Sequence, residues 1–226
     1  MERSINLDIE GFINKIASVS DVGQLFYNPY HREACRYNLK NYMYHLLDDG
    51  VDIMLIGEAP GYRGCALTGI PFTDEVQLKS SLNNYALGTW QRLDETGNTS
   101  ERSASAMWSA LRKYHITPLM WNAFPFHPYQ AGNISSNRTP TQAELKDGLT
   151  YIQELISIFD IDSTRIFAIG QKAKSMIGLK DDSHCIRHPA NDFKKEFHPQ
   201  FDWKVGKLFC CQKSHIDVEK AVEVTN

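Results

Sequence analysis

The sequence has no long hydrophobic segment. Of its 226 residues, 42% are hydrophobic and 23% are charged, and no apolar run approaches the roughly 20 residues that a membrane-spanning helix needs. The N-terminal stretch MERSINLDIEGF also lacks the basic segment followed by an apolar segment that is typical of a signal peptide. We therefore expect a cytoplasmic protein that does not associate with a membrane.

Paired cysteines are missing as well. The sequence contains no CxxC spacing, and its five cysteines are scattered at positions 35, 65, 185, 210 and 211. This pattern argues against a zinc site and against a disulfide framework. No two histidines or acidic residues show the spacing of metal ligands, and the GKS or GKT of a P-loop is absent. The sequence predicts reduced thiols, no metal and no cofactor.

Basic residues are not in excess either. The chain has 24 Lys and Arg against 27 Asp and Glu, so its formal net charge is −3. Domains that bind nucleic acids usually carry a basic surface. Any contact with DNA or RNA would therefore need a local basic face or backbone N–H groups.

Short apolar segments alternate with helical patterns along the chain. Strands are expected at 51–57, 117–124, 165–170 and 184–189. Helices are expected at 33–49, 103–115, 141–159 and 171–179. Alternation of this kind predicts a three-layer α/β/α fold around a central, mainly parallel four-stranded sheet. We expect a single domain over residues 1–226, with an N-terminal helical extension of about residues 1–49.

Three polar residues stand where predicted strands end. Glu58 follows the first strand, Asn122 lies near the end of the second, and His188 ends the fourth. In open parallel sheets, ligands bind outside the carboxyl ends of the strands. A carboxylate there can orient a water, although it can also merely cap the backbone. The amide can recognise a base edge or be satisfied in the core, and a lone histidine is more often structural.

Two further features lie near these strand ends. Phe72 follows Pro71 in a glycine-rich loop, where it could be a core residue or a ligand contact. The stretch 126–140, FHPYQAGNISSNRTP, is a long polar loop that leaves the same end of the predicted sheet. Long loops without regular structure are often functional. His127 lies within this loop, and its position gives less support for a functional role than that of His188 does.

Four motifs in this chain order resemble those of the uracil-DNA glycosylase superfamily. They are IGEAPG (56–61), GIPF (69–72), WNAFPFHP (121–128) and RHPAN (187–191), and the likeness spans roughly residues 50 to 192. Longer phrases resemble a bacterial subgroup of the GEAPG type. The resemblance implies the fold of that superfamily. It also implies a monomeric enzyme that hydrolyses the N-glycosidic bond of uracil or another deaminated base flipped out of DNA, in base-excision repair and without a metal.

The resemblance also implies roles for individual residues. Glu58 would activate or position the attacking water, and His188 would donate to the departing base. The residues expected to bind the base are Phe72, Asn122, Tyr62 and Gly57. Those expected to bind DNA, single- or double-stranded, are Pro60, Gly61, Arg63, Pro189, Ala190 and Asn191. Arg138, Lys194 and Lys195 are further candidates for phosphate contacts, or simply solvated surface.

The sequence departs from the family pattern at three places. The four cysteines of the iron–sulfur cluster found in the GEAPG branch are not present at their spacing, so no cluster is expected. YRGC (62–65) replaces a Glu-Asp pair that helps to exclude thymine, which makes Tyr62 a candidate replacement wall. HPAN (188–191) lacks the usual serine after His-Pro.

Two alternatives use the same residues. The protein could be a catalytically weak relative that binds nucleic acids without cleaving them. It could also be a small-molecule nucleoside N-glycosidase. The sequence separates these poorly, because all of them would use the same edge of the sheet.

Overall fold

A computed structural model describes residues 2–80, 90–91 and 99–210 of the chain, excluding the side chains of residues 2–7, 191–193 and 210. Strands in this part of the chain are β1 (Phe26–Tyr27), β2 (Ile53–Gly57), β3 (Pro118–Asn122), β4 (His127–Pro128), β5 (Ile166–Ile169) and β6 (Cys185–Ile186). The helices are α1 (Glu2–Ala17), α2 (Glu33–Asp49), α3 (Cys65–Thr68), α4 (Glu75–Ser80), α5 (Arg102–Tyr114), α6 (Gln142–Phe159), α7 (Gln171–Met176), α8 (Pro189–Asp192), α9 (His198–Phe201) and α10 (Lys207–Cys210).

The central sheet consists of four parallel strands in the order β3-β2-β5-β6. All residues of β2 and β3 are buried, as expected when helices cover both faces of a parallel sheet. The four predicted strands and the α/β/α architecture are confirmed. β1 and β4 form a separate antiparallel pair outside this sheet.

The predicted helices are also present. α2 has the predicted bounds, and α5 and α6 differ from the prediction by no more than one residue at either end. α7 ends three residues early, because the chain turns at Gly178, whose φ of +72° suits glycine. α1 lies within the N-terminal helical extension expected at residues 1–49, although its own bounds were not predicted. The helical segment of residues 189–210, in which two π-helical stretches separate α8, α9 and α10, was not predicted.

The start of α6 fixes the chain beside the sheet. The Thr141 hydroxyl accepts from the Glu144 N–H, and the Glu144 carboxylate accepts from the Thr141 N–H at 2.6 Å, which is the predicted capping box. One turn further, α6 comes very close to the chain after β3. A Cβ on Gly148 would lie 1.8 Å from the carbonyl oxygen of Ala123, so only glycine permits this contact. α6 therefore braces the segment that follows Asn122.

The N-terminal segment packs into the hydrophobic core of the sheet. The Phe12 ring of α1 lies edge-on to Trp121 of β3, with ring centroids 5.4 Å apart, and contacts Tyr151 of α6 at 6.2 Å. Burying such rings contributes favourable free energy beyond the area they remove from water. Among the described helices, none combines the length and the apolar character needed to cross a membrane.

Candidate active site

A cleft of about 620 Å³ opens at the carboxyl edge of the central sheet. Four of its lining residues are Glu58, Phe72, Asn122 and His188, which come from distant parts of the chain. Five other predicted site residues also line it, namely Pro60, Gly61, Tyr62, Arg63 and Ala190. The structure therefore brings together most of the residues that the sequence singled out.

Glu58 is held in place by the continuation of the sheet beyond its strands. The Gly57 carbonyl accepts from the Ala123 N–H at 2.9 Å, and the Glu58 carbonyl accepts from the Phe124 N–H at 3.0 Å. The ladder between β2 and β3 thus extends past the last strand residues. Because its backbone is fixed in this way, the Glu58 side chain, about a quarter exposed, projects from a rigid support into the cleft.

Asn122 lies beside Gly57 in the register of β2 and β3. Its side chain is buried, and its amide nitrogen lies 3.7 Å from the Cys65 sulfur. A Cβ on Gly57 would come within 2.6 Å of the Asn122 amide oxygen and of the Phe72 ring. Gly57 does not itself line the cleft, but its missing side chain makes room for both neighbours.

Phe72 has an uncommon backbone conformation. Its φ is +53°, in the left-handed region that bulky residues rarely adopt. Such a conformation costs on the order of 1 kcal/mol or more, and it clusters at functional sites. The Phe72 ring is 9% exposed, and its centroid lies 6.3 Å from that of His188. The aromatic face and the imidazole are therefore neighbours in the same cleft.

His188 is half-buried and lies two residues after the end of β6. The Ala190 N–H donates to its Nδ1 at 3.2 Å, which leaves Nε2 to carry the hydrogen in the neutral ring. Burial lowers the pKa of His188, and the positive charge of Lys172 lowers it further. Both effects favour a neutral imidazole with one N–H available to a ligand.

Lys172, at the start of α7, also contacts the carboxylate in the cleft. Its Nζ lies 3.4 Å from Glu58 Oε1 and donates to the Thr139 hydroxyl at 2.7 Å. The side chain is mostly exposed, so the ion pair alone contributes little to stability. Its charge also acts on His188, so one cation lies near both the carboxylate and the histidine. No local pattern marks this residue, since a lysine in GQKAKS is typical of ordinary protein surface.

The loop after Glu58 is tied to the long polar loop of residues 126–140. The two ring nitrogens of His127 lie 2.8 Å from the Pro60 carbonyl oxygen and 2.9 Å from that of Ile134. The Tyr62 N–H donates to the Asn137 side chain at 3.4 Å. His127 is therefore a structural link between two loops, and it does not line the cleft. The Arg63 guanidinium lies over the Tyr62 ring, 5.3 Å from its centroid.

Some predicted DNA contacts are placed differently. Pro189 is buried at the start of α8 and does not line the cleft, and the Asn191 side chain lies outside the described residues. Arg138 lines the cleft, but its guanidinium binds both oxygens of Glu144, at 2.8 and 2.9 Å, and donates to three backbone carbonyls. Its donors are used within the fold, which makes it a structural residue.

Glu101 is a cleft residue that the sequence analysis missed. It lies just before α5, and its carboxylate faces the loop of Gly61 and Gly64. Burial raises the pKa of Glu101, as does the nearby carboxylate of Asp74. No local pattern marks this glutamate, because it stands alone in a polar stretch before a helix.

Metal ligands are not assembled within the described part of the chain. No group of three or more His, Cys, Asp or Glu side chains there could hold a metal ion. Cys35, Cys65 and Cys185 are buried and form no disulfide. These residues do not provide the four-thiolate donor set of an iron–sulfur cluster, and the side chains of Cys210 and Cys211 lie outside the described residues.

The chain was compared with known proteins. A search of curated proteins finds no match. Among solved structures, the crystal structure of wild-type SMUG2 from Pedobacter heparinus aligns with a TM-score of 0.58. The alignment covers 96% of this chain and 99% of that chain at 17% sequence identity, so the likeness concerns the fold.

A comparison with models of protein families identifies the family of the chain as well as its fold. The sequence model of the uracil DNA glycosylase superfamily matches residues 44–210, which is well over half of the chain. The matched region includes every strand of the central sheet and all four residues at the centre of the cleft. The chain therefore belongs to the uracil DNA glycosylase superfamily.

Proposed function

We propose that the protein is a DNA glycosylase that hydrolyses the N-glycosidic bond of uracil or another deaminated base. The observation that carries this proposal is the meeting of Glu58, Phe72, Asn122 and His188 in one cleft at the carboxyl edge of the sheet. A carboxylate, an aromatic face, an amide and a neutral imidazole are the groups that a base-releasing hydrolase needs. Membership of the superfamily supports the same reaction class.

The substrate base enters this cleft from outside the DNA stack. A base inside a duplex is unreachable, so it must be extruded at a cost of a few kcal/mol, which is smallest for a mismatched or single-stranded base. In the cleft the base stacks on Phe72, whose ring is held by the buried loop that follows α3. Base–aromatic stacking of this kind is worth about 1–3 kcal/mol.

Asn122 binds the edge of the base. Its carboxamide offers one acceptor and two donors, so it can pair with a carbonyl and a neighbouring N–H. Burial and the close fit over Gly57 restrict the directions that this amide can take. Tyr62 contributes to the wall of the pocket.

Glu58 and His188 act on opposite sides of the bond that breaks. Glu58 takes a proton from a water whose oxygen forms the new bond to the sugar carbon, a general-base role. The bonding electron pair departs with the base, which leaves as an anion. His188 donates its Nε2–H to the base oxygen where this charge develops, in the manner of an oxyanion hole. Lys172 keeps a positive charge next to Glu58.

DNA contacts come from the rim of the cleft. Arg63 and Lys172 supply positive charge there, while Gly61 and Asn191 offer backbone N–H groups to the phosphates. Because the chain as a whole carries a charge of −3, few phosphates are neutralised. We therefore expect weak binding to undamaged DNA, with a shallow dependence on salt.

A strand-release assay tests the proposal. Labelled single- and double-stranded DNA carrying one uracil, hypoxanthine or xanthine is incubated with the protein, and abasic sites are cleaved and counted. We expect release of at least one base by the wild-type protein, and strong loss with Glu58→Gln. Binding to all strands with no release would instead support the nucleic-acid-binding alternative. Release from free nucleosides with no action on DNA would support the small-molecule N-glycosidase.

A further inference from the structure

Lys172 places a primary amine at the carboxyl edge of the central sheet. It stands in the first turn of α7, which begins one residue after Gly170 ends the β5 segment. β5 pairs with β2, and Glu58 follows the last residue of β2. The Lys172 Nζ lies 3.4 Å from Glu58 Oε1. The amine is therefore next to the carboxylate that is proposed to act on the attacking water.

The cleft contains several cations but, among the described residues that line it, only one lysine. The other cations are Arg63, Arg102 and Arg138. A guanidinium stays protonated in proteins, so it does not attack a carbon atom. A lysine amine that has lost a proton is a nucleophile, and it forms Schiff bases with carbonyl compounds. Lys172 therefore gives this part of the cleft a chemical capacity that the arginines lack.

Two cavities meet at Lys172. A cavity of about 410 Å³ lies beside the cleft, and Glu58, Lys172 and His188 line both. The charge of Lys172 also lowers the pKa of His188, which places the amine near the imidazole as well as the carboxylate. In the proposed reaction the bond to the sugar breaks between Glu58 and His188. The sugar carbon of that bond therefore lies beside the amine.

The amine of Lys172 can move towards that carbon. Its side chain is 62% exposed, and its shortest contact is a hydrogen bond of 2.7 Å to the hydroxyl of Thr139, an exposed residue. A water bound to Glu58 and in line to attack would hold the sugar carbon within about 6 Å of the carboxylate. Because Nζ is already 3.4 Å from the same carboxylate, the flexible four-carbon stem of lysine can cover the remaining distance.

We propose that Lys172 gives the protein a second activity, that of a lyase which cuts DNA at abasic sites. This inference rests on the proposed function, whose product is its substrate. The opened abasic sugar carries an aldehyde at C1′, the carbon that held the base. Nζ first loses a proton to Glu58, and its electron pair then forms the bond to C1′. The carbonyl oxygen leaves as water with the two remaining hydrogens of the amine, which gives an imine.

The imine makes the strand break possible, because it renders the hydrogen on C2′ acidic. That proton passes to a water, and its electron pair forms a double bond between C2′ and C3′. The phosphate on C3′ leaves with the electron pair of its C–O bond, so the strand is cut without an oxidant or a reductant. Hydrolysis of the imine then frees Lys172 for another turnover.

The test uses labelled DNA that already contains an abasic site, so it does not depend on base release by this protein. Strand cleavage is counted after incubation with the protein. A parallel reaction contains sodium borohydride, which reduces the imine to a stable amine and leaves the protein attached to the DNA. Peptide mass mapping then locates the modified residue. We expect strand cleavage and an adduct on Lys172.

Two conservative variants separate this role from simple attraction to DNA. Lys172→Arg keeps the positive charge but should form no adduct at residue 172, and cleavage should fall to the level without protein. Lys174→Arg is the matched control, because Lys174 lies on the same helix, pairs with Asp182 and does not line the cleft. It should cut and crosslink as the wild-type protein does.

Folding and binding are checked for every variant. Thermal unfolding reports the fold, and fluorescence anisotropy reports binding to DNA that carries a tetrahydrofuran analogue of the abasic site. Lys172→Met replaces the arginine variant if the latter does not fold or bind. The mapping of the adduct on the wild-type protein needs no variant at all.

The possible failures are distinguishable. An adduct on another residue, or equal cleavage by the wild-type protein and Lys172→Arg, would show that Lys172 is not the nucleophile. If the wild-type protein releases a base but neither cuts nor crosslinks abasic DNA, the second activity is wrong while the glycosylase function stands. If it crosslinks through Lys172 but releases no base from any strand, the proposed glycosylase function fails and the lyase stands alone.

Discussion

Gly57 and Asn122 lie side by side on neighbouring parallel strands, and the amide oxygen of Asn122 occupies the space that a side chain at residue 57 would fill. The distance from a Cβ at residue 57 to that oxygen would be 2.6 Å, and the Phe72 ring would be equally close. A single missing methyl group therefore lets two site residues converge. The arrangement of the site therefore requires glycine at residue 57, although Gly57 does not line the cleft.

Gly57→Ala should impair base release more than it impairs folding. The added Cβ meets the ends of two side chains, which can move, so overpacking should cost about 1–3 kcal/mol. Moving Asn122 and Phe72 should lower single-turnover release by at least about 10-fold, since small misplacements in a site are costly.

Gly11→Ala is the matched control for this substitution. A Cβ on Gly11 would meet nothing within 4 Å, and the residue lies within α1. This variant should retain full release and gain about 0.5–1 kcal/mol in unfolding free energy. Equal release by wild type and Gly57→Ala would show that the fit at residue 57 does not position the site.

Glu58→Gln should abolish most turnover while preserving DNA binding. The amide keeps the shape of the side chain but cannot take a proton from water, and general-base catalysis contributes about 10²–10⁴-fold. Release is measured under single-turnover conditions and binding by fluorescence anisotropy. Glu154→Gln, on the surface of α6, should behave as wild type. A Glu58→Gln protein with normal release would remove Glu58 from the mechanism.

Lys172→Met should raise the pKa of His188. Burial and the charge of Lys172 both lower this pKa below its ordinary value of 6.5, so removing the charge leaves only burial. As the solution is acidified, the His188 ring of the variant should therefore become protonated at a higher pH than the ring of the wild-type protein. NMR titration of the imidazole ring protons gives the shift directly, without a substrate.

Lys172→Arg is the control for that titration. It retains the positive charge at the start of α7, so the His188 pKa should remain close to that of the wild-type protein. If Lys172→Met leaves the titration unchanged, the lysine charge does not act on His188. In that case burial alone accounts for the neutral imidazole.

Asn122→Asp should change the choice of base. At pH 7 the substitution replaces an amide donor with a second acceptor, so relative release of uracil, hypoxanthine and xanthine should shift, in addition to any general loss. Asn28→Asp is a useful comparison. Asn28 is also fully buried, and its amide donates to the carbonyls of Ile16 and Val19.

The two asparagine variants should therefore affect different properties of the protein. Asn28→Asp should reduce stability by a few kcal/mol, the cost of unpaired buried groups, while the order of base preference stays the same. An unchanged preference in Asn122→Asp would argue that Asn122 is only structural.

Much of the fold could be predicted because its signals are local. Apolar runs ended by glycine marked the central strands, and the box formed by Thr141 and Glu144 marked the start of α6. The bounds of α1 were not predicted, yet this helix contributes Phe12 to the core. Its place is set by packing against Trp121 and Tyr151, which are remote in sequence.

Local patterns were sufficient to identify the residues at the carboxyl ends of the strands, since a strand end is a local property and parallel strands end at one edge. Glu58, Asn122 and His188 follow from that rule. The presence of Glu101 and Lys172 in the same cleft depends on the three-dimensional fold. Neither residue has a local signature, because Glu101 is brought in by a buried bond to Asp74 and Lys172 by the pairing of β5 with β2. Contacts between distant segments are fixed by packing, and no short stretch of sequence records them.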